Sequence, residues 1–101
     1  MGSVDGKPFL DDDGLLRRGS RWVAIPAGLV MVVQLLLDQA GGPVPVDEVI
    51  AVYVSCGGTA RRTSVRMALA RLDARIAPLG LRLESIGQRA VSLRVRGLSP
   101  A

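Results

Sequence analysis

The fold of this chain is decided by the stretch RTSVRMALARLDARI, which occupies residues 62–76. Its apolar residues recur at the three- and four-residue spacing that places side chains on one face of a helix: Val65, Leu69, Leu72 and Ile76. Pro78 and Gly80 follow this stretch, and both residue types end helices. The pattern therefore predicts a helix from about Arg62 to Ala77 that packs on a core through this face.

The opposite side of the same helix carries small and cationic residues. Short side chains let a helix approach the DNA major groove closely, and arginine reaches guanine edges and phosphates. We therefore predict that this side contacts DNA. At about 100° per residue, the positions turned away from the core are Thr63, Met67, Ala70 and Ala74, with Arg66 and Arg71 beside them. The expected base-facing residues are Thr63, Arg66, Met67, Ala70 and Arg71, and the expected phosphate contacts are Arg61, Arg62 and Arg75.

An ordinary solvated helix face is the alternative interpretation. Such a face usually mixes acidic and basic side chains, which pair across one turn. Between residues 61 and 75, however, Asp73 is the single acid among five arginines. The imbalance extends further, since residues 1–50 hold four basic and seven acidic side chains, whereas residues 51–101 hold nine arginines and two acids. This distribution favours the DNA-contacting interpretation.

Two further helices are predicted on the N-terminal side of this one. The apolar block from Leu29 to Leu37 is stopped by the Gly41-Gly42-Pro43 segment, and we expect it to form a helix at the centre of the domain. Residues 46–54 are rich in valine, which favours a strand. Pro45 at the start and the acids Asp47 and Glu48 favour a helix instead, and we predict a helix.

Short apolar runs separated by turn residues predict strands at both ends of the domain. A meander of two or three strands is expected from Phe9-Leu10, Leu15-Leu16 and residues 21–25. Residues 81–86 and 90–95 alternate around Gly87-Gln88-Arg89, as in a β-hairpin. The order predicts an α+β fold with an N-terminal β-meander, three helices and a C-terminal β-hairpin. We expect one domain over residues 1–101, with an ordered core of about 8–96.

Several function classes are disfavoured by composition. The chain has no histidine and one cysteine, so we expect no metal, no cofactor and no catalytic residue. Cys56 in its glycine-rich loop is interpreted as a small loop residue rather than a redox sensor. Asp11-Asp12-Asp13 is interpreted as a solvated turn, because three consecutive carboxylates in a turn do not converge on one metal. We therefore predict that the chain is not an enzyme.

The longest apolar stretch, residues 22–37, raises the question of a membrane span. Pro26 and Gln34 interrupt this stretch, and it is shorter than the ~20 residues that a spanning helix needs. We interpret it as the end of a strand followed by a core helix. With the single cysteine, which suits a reducing compartment, this predicts a cytoplasmic protein without a membrane partner.

Taken together, these segments resemble the OmpR/PhoB-type winged-helix effector domain of bacterial response regulators. The resemblance covers roughly residues 9–95 and includes Val23-Ala24-Ile25-Pro26 and the segment of residues 42–50. Its most specific part is residues 62–76, which resemble the family's recognition helix, with the Arg-Leu pair at Arg71-Leu72. The resemblance implies a winged helix-turn-helix fold in which the C-terminal hairpin is the wing. No receiver domain is expected before it, because the first predicted strand begins at Phe9.

The chain also departs from the family pattern. The polar pair in the middle of the recognition helix is replaced by Arg66 and Ala68, which implies a different base preference. In the hairpin the familiar R-G-x-G-Y becomes Gly87-Gln88-Arg89-Ala90-Val91. The wing arginine is thereby displaced toward the tip, where Arg89 could still reach the minor groove or could be an exposed turn residue.

The sequence therefore predicts a double-stranded DNA-binding transcriptional regulator. A winged-helix adaptor that binds a protein partner, with little DNA binding, remains the alternative, since Met67, Ala70 and Ala74 could pack against another protein. The resemblance also makes RNA polymerase a candidate partner of the loop at residues 55–61, and a second copy of the chain on DNA is a further candidate partner.

Overall fold

Two antiparallel sheets of three strands each flank three α-helices along the residues that the computed structural model describes, 7–39 and 41–95. The chain is thus an α+β protein, as its pattern predicts. Two positions of the predicted core of residues 8–96, residues 40 and 96, lie outside this described part. Met1 and Ala101, the limits of the predicted domain, also lie outside it.

All three predicted helices are present. They are α1 (Val30–Asp38), α2 (Val46–Ser55) and α3 (Arg62–Ile76), with single 3-10 turns at Ala27–Leu29 and Ala77–Leu79. The helix prediction for α2 is confirmed, and Asp47 and Glu48 lie in its first turn. Helix α3 ends one residue before Ala77, because the chain tightens into the 3-10 turn and then reverses at Gly80, whose φ is 74°. None of the helices in residues 7–39 and 41–95 combines the length and apolarity needed to cross a membrane.

The N-terminal sheet is the predicted meander, with its third strand one residue shorter than expected. Its strands are β1 (Phe9–Leu10), β2 (Leu15–Arg18) and β3 (Arg21–Ala24), in the order β1-β2-β3. Leu16 lies opposite Leu10 and Val23 and is fully buried, so this face of the sheet packs on the core.

The C-terminal sheet contains the predicted hairpin and one strand that was not predicted. The hairpin strands are β5 (Leu81–Ile86) and β6 (Ala90–Val95), and β6 also pairs with β4 (Val44–Pro45). The sheet order is therefore β4-β6-β5. Residues Gly87 and Gln88 both have positive φ, at 58° and 62°, which forms the tight turn of the hairpin.

The core joins both sheets to the inner sides of the helices. Its fully or nearly fully buried members include Leu16, Val32, Leu36, Val49, Val65, Leu72, Ile76, Leu79, Leu81 and Leu93. Helix α1 is buried or half-buried on most sides, with Met31 54% exposed, and Leu69 of α3 is half-buried against the core.

A buried arginine connects the two ends of the core. Arg18 of β2 is only 4% exposed, and its guanidinium donates hydrogen bonds to the carbonyl oxygens of Leu79 at 2.7 Å and Gly80 at 3.3 Å. Arg21 similarly donates to the carbonyl of Pro78 at 3.1 Å. These bonds satisfy carbonyls in the turn after α3. The N-terminal sheet therefore holds the C-terminal end of α3 in place.

Candidate nucleic-acid interface

The predicted orientation of α3 is confirmed by its burial. Val65, Leu72 and Ile76 face the core and are buried. The residues on the opposite side are exposed: Thr63, Arg66, Met67, Ala70, Arg71 and Ala74. The exposed face of the helix thus has short side chains in its middle and arginines on both sides. The DNA contacts of this face stay a prediction.

The single acid of α3 is held against the C-terminal hairpin. Asp73 Oδ1 accepts a hydrogen bond from the backbone N–H of Leu83 at 2.8 Å and one from Arg82 Nε at 3.3 Å. Leu83 belongs to β5, an edge strand of its sheet, so the carboxylate satisfies a donor on that edge. The Asp73 carboxylate is thus directed toward β5 with its side chain 28% exposed, and none of the exposed residues named on the opposite side of α3 is acidic.

The three predicted phosphate contacts lie at the two ends of α3 and are all exposed. Arg61 is the residue immediately before the helix, and Arg62 begins it. Arg62 lies 3.9 Å from Asp47 of α2, but both side chains are largely exposed, so this pair contributes little. Arg75 lies in the last turn, where a cation is favoured by the helix dipole.

The hairpin turn is tied to the start of α2. The backbone carbonyl of Arg89 accepts a hydrogen bond from Val46 N–H at 2.8 Å, while Arg89 N–H donates to the Ile86 carbonyl at 3.1 Å. Both main-chain groups of Arg89 are thereby satisfied, and its side chain is exposed. The tip of the turn is formed by Gly87 and Gln88, and Arg89 follows it.

The N-terminal half of α3 and the hairpin turn share one groove. This groove of about 360 Å³ lies between α2, α3 and the hairpin, with Arg62 and Arg66 on the α3 side and Ser85 and Gln88 on the hairpin side. Among the predicted site residues, the structure thus brings Arg62 and Arg66 close to the hairpin. Arg75 lies nine positions after Arg66, about 14 Å along the helix axis.

The acidic turn is partly structural. Asp12 and Asp13 are exposed, as expected of a solvated turn, but Asp11 is not. Its carboxylate accepts hydrogen bonds from Asp13 N–H at 2.8 Å, Leu15 N–H at 3.0 Å and Arg17 Nε at 2.7 Å. The hydrogen bond from Arg17, followed by that from Leu15, lowers the pKa of Asp11 below its ordinary value of 3.8. Asp11 therefore fixes the β1–β2 turn.

Cys56 follows the last turn of α2 and is half-buried, with its Sγ 3.9 Å from Ser55 Oγ. The local backbone and packing explain why glycines occupy positions 57 and 58. Gly57 has a φ of 96°, and a Cβ on Gly58 would lie 2.4 Å from the Tyr53 ring.

Within residues 7–39 and 41–95, no group of three histidine, cysteine or acidic residues is arranged to hold a metal.

A surface patch that was not predicted lies on the outer face of the N-terminal sheet. Phe9, Arg17 and Trp22 stand opposite one another on β1, β2 and β3. Trp22 is 56% exposed and Phe9 53% exposed. The alternation of side chains along a strand could have predicted this patch, since it places Phe9 and Trp22 on the face opposite Leu10 and Val23, which are half-buried.

Comparison with known proteins finds no matching family model, no similar curated protein and no similar solved structure. The functional interpretation therefore rests on the residues and geometry of the chain itself.

Proposed function

We propose that this chain is a sequence-specific double-stranded DNA-binding transcriptional regulator with a winged-helix fold. Helix α3 enters the major groove, and the β5–β6 hairpin acts as the wing. The proposal assigns no catalytic residue and no cofactor to the chain. Such a role belongs in the cytoplasm, where the DNA of a bacterial cell lies.

The observation that carries the proposal is the acid-free face of α3. Helices that bind DNA need close approach in the middle and hydrogen-bond donors at the edges. Ala70 and Thr63 allow that approach, and Arg66 and Arg71 supply donors from either side. The carboxylate of Asp73 accepts a hydrogen bond from Leu83 and is directed toward β5, to one side of the residues proposed to contact DNA.

The surrounding geometry supports a winged helix. A hairpin follows the third helix after a single 3-10 turn. A short strand before α2 pairs with the hairpin, so that the hairpin turn lies beside the start of α2. The exposed side chain of Arg89 lies next to the turn, in a position suited to a minor-groove contact. Arg61, Arg62 and Arg75 are placed to neutralise phosphates at both ends of α3.

A mobility-shift titration with a random-sequence duplex pool at several salt concentrations tests this proposal. Three phosphate contacts at ~−0.9 each predict a log–log salt slope of about −2.7. Sequencing of the bound fraction should reveal an enriched sequence. A flat salt response, or no binding at low salt, would overturn the proposal.

A matched pair of variants shows whether α3 is responsible. Arg71→Gln removes one positive charge from the proposed face and should weaken binding to the enriched sequence by about tenfold or more. Arg94→Gln removes the same charge from β6, where Arg94 pairs with Glu84 at 2.8 Å, and should have a much smaller effect. Equal losses would place the DNA elsewhere on the protein.

The second candidate function is a protein-interaction module. It is favoured by the exposed aromatic pair Phe9 and Trp22 and by Met67, which is 53% exposed on α3. Tryptophan and arginine are the residue types that most often dominate protein interfaces. Loss of a co-purifying partner in Trp22→Ala or Met67→Gln, together with its retention in Arg66→Gln, would favour this function over DNA binding.

Two partners other than DNA belong to the same proposal. The loop from Cys56 to Arg61 is mostly exposed between α2 and α3 and is available to RNA polymerase. A second copy of the chain on adjacent DNA would form a homodimer. Sedimentation of the protein with and without the enriched duplex measures whether a second copy binds.

A further inference from the structure

The groove between α2, α3 and the hairpin has an apolar floor. Val65 and Val91 are buried beneath it, and Val46, Ile50 and Leu69 are half-buried along its walls. Its volume of about 360 Å³ is at the lower end of the ~300–1,000 Å³ of small-molecule sites. An apolar concavity of this size accommodates a ligand smaller than a nucleotide.

The rim of the groove carries two positive charges, those of Arg62 and Arg66. Arg62 and Arg66 are four residues apart on α3, so their side chains are neighbours and repel each other. Arg62 lies 3.9 Å from the Asp47 carboxylate, but both side chains are largely exposed, so this pair offsets little of the charge. An anion placed between the two guanidinium groups would relieve the repulsion and accept charge-assisted hydrogen bonds.

The opposite rim supplies neutral polar groups. Ser85 and Gln88 of the hairpin face the groove across from the arginines. The site therefore has a cationic end, an apolar floor and one hydroxyl and one amide, which is the usual composition of a small-ligand pocket. A DNA phosphate would satisfy the arginines but would leave the floor empty.

We propose that this groove binds a small monocarboxylate with an apolar tail, its carboxylate on Arg62 and Arg66 and its tail on Ile50 and Leu69. The regulatory part of this inference rests on the proposed function. The ligand occupies the two arginines assigned to DNA and thereby acts as an effector that releases the protein from DNA. Binding of the ligand itself does not depend on DNA.

Octanoate is the probe, with octanol and acetate as controls that lack the charge and the tail. Amide correlation spectra of the DNA-free protein are recorded during each titration. Octanoate should shift the resonances of Val46, Leu69 and Gln88 at millimolar concentration, and the two controls should shift them far less. Absence of these shifts, or equal shifts with octanol, would overturn the proposal.

Two variants of equal charge change locate the carboxylate. Arg66→Gln should weaken octanoate binding roughly tenfold, because a charge-assisted hydrogen bond is lost. The control is Arg94→Gln, which removes the same charge from β6 outside the groove and should leave the affinity unchanged. Equal weakening by both would show a general charge effect and overturn the site.

A competition experiment separates the two proposals. Octanoate should displace the enriched duplex from the wild-type protein, and acetate at equal ionic strength should not. If octanoate binds but no DNA does, the DNA-binding function fails and the groove site stands. If DNA binds and octanoate does not, the groove site fails and the DNA-binding function stands.

Discussion

The carboxylate of Asp73 on α3 accepts a hydrogen bond from the backbone N–H of Leu83 on β5, with an oxygen-to-nitrogen distance of 2.8 Å. This bond joins the proposed DNA-contacting helix to the hairpin that follows it. Strand β5 pairs with β6 on one side only, and the bond gives the Leu83 N–H on its other, outer edge an acceptor. The bond therefore adds a polar link between helix and hairpin to the core that both elements share.

Asp73→Ala should reduce the free energy of unfolding by about 1–2 kcal/mol, because it leaves the Leu83 N–H without its charged acceptor. Asp73→Asn keeps an acceptor oxygen at the same position and should lose less. Urea denaturation of the three proteins measures the difference. Equal stability of wild type and Asp73→Ala would show that the bond contributes nothing to the fold.

Arg18→Met should be more damaging, because the variant leaves the Leu79 carbonyl without the 2.7 Å bond from the guanidinium. An unsatisfied buried group costs roughly 1–3 kcal/mol, and we expect a loss of that size in urea denaturation. Arg17→Met is the matched control on the same strand. Arg17 is partly exposed and pairs with Asp11, so its replacement should cost below about 1 kcal/mol. A larger loss for Arg17→Met than for Arg18→Met would contradict this account of the core.

Gly58→Ala tests the packing of the loop between α2 and α3. A Cβ at this position would meet the half-buried Tyr53 ring at 2.4 Å, so the ring or the loop must move. Overpacking of this kind costs about 1–3 kcal/mol. Gly28→Ala is the control, since nothing lies within 4 Å of a Cβ there, and it should be neutral or stabilising by about 0.4–1 kcal/mol. Thermal unfolding distinguishes the two, and similar melting temperatures would refute the Tyr53 contact.

Much of this fold could be predicted because its signals are local. The helix α2 is an example in which two signals disagree. Its valines favour a strand, yet Pro45, Asp47 and Glu48 favour a helix, and the structure contains the helix. The exposed side of α3 was equally predictable, because the helical period fixes which residues lie opposite Val65 and Leu72.

The features that escaped prediction depend on residues far apart in the chain. Strand β4 consists of two residues, and its pairing is set by Val91 and Ala90 of β6 rather than by its own sequence. The burial of Arg18 depends on the carbonyl groups of Leu79 and Gly80, which leave no mark in the sequence because every residue has a carbonyl. The groove beside Arg66 exists only because three separate elements meet.

Stability should depend on the ionisation of Asp11. Its folded-state pKa lies below the ordinary value of 3.8, mainly because Arg17 donates to the charged form. A lowered folded-state pKa means that its contribution is complete above the unfolded-state pKa and is lost as the pH falls through the folded-state pKa. We therefore expect the stability advantage of wild type over Asp11→Asn to shrink below about pH 3.8.

Urea denaturation of wild type and Asp11→Asn at a series of acidic pH values measures this advantage. Asp12→Asn removes an equal charge from the same turn without breaking a bond to Arg17, and it controls for the general effect of charge. A wild-type advantage that stays constant from neutral to strongly acidic pH would contradict the role of the Asp11 carboxylate.

The last prediction separates specificity from affinity on the proposed DNA-contacting face. Arg66 is exposed one turn into α3, next to Thr63 and Ala70, where a bidentate contact to guanine discriminates by roughly 1–3 kcal/mol. Arg62 begins the helix, where backbone N–H groups and the dipole already favour a phosphate. Arg66→Ala should therefore weaken binding to the enriched sequence and leave random DNA nearly unaffected. Arg62→Ala should weaken both about equally and make the salt slope shallower by roughly one.

Fluorescence anisotropy with both duplexes at several salt concentrations measures these effects, with Arg94→Ala as the control for loss of one charge. If Arg66→Ala and Arg62→Ala weaken the two duplexes in the same proportion, α3 does not lie in the major groove with Arg66 toward the bases.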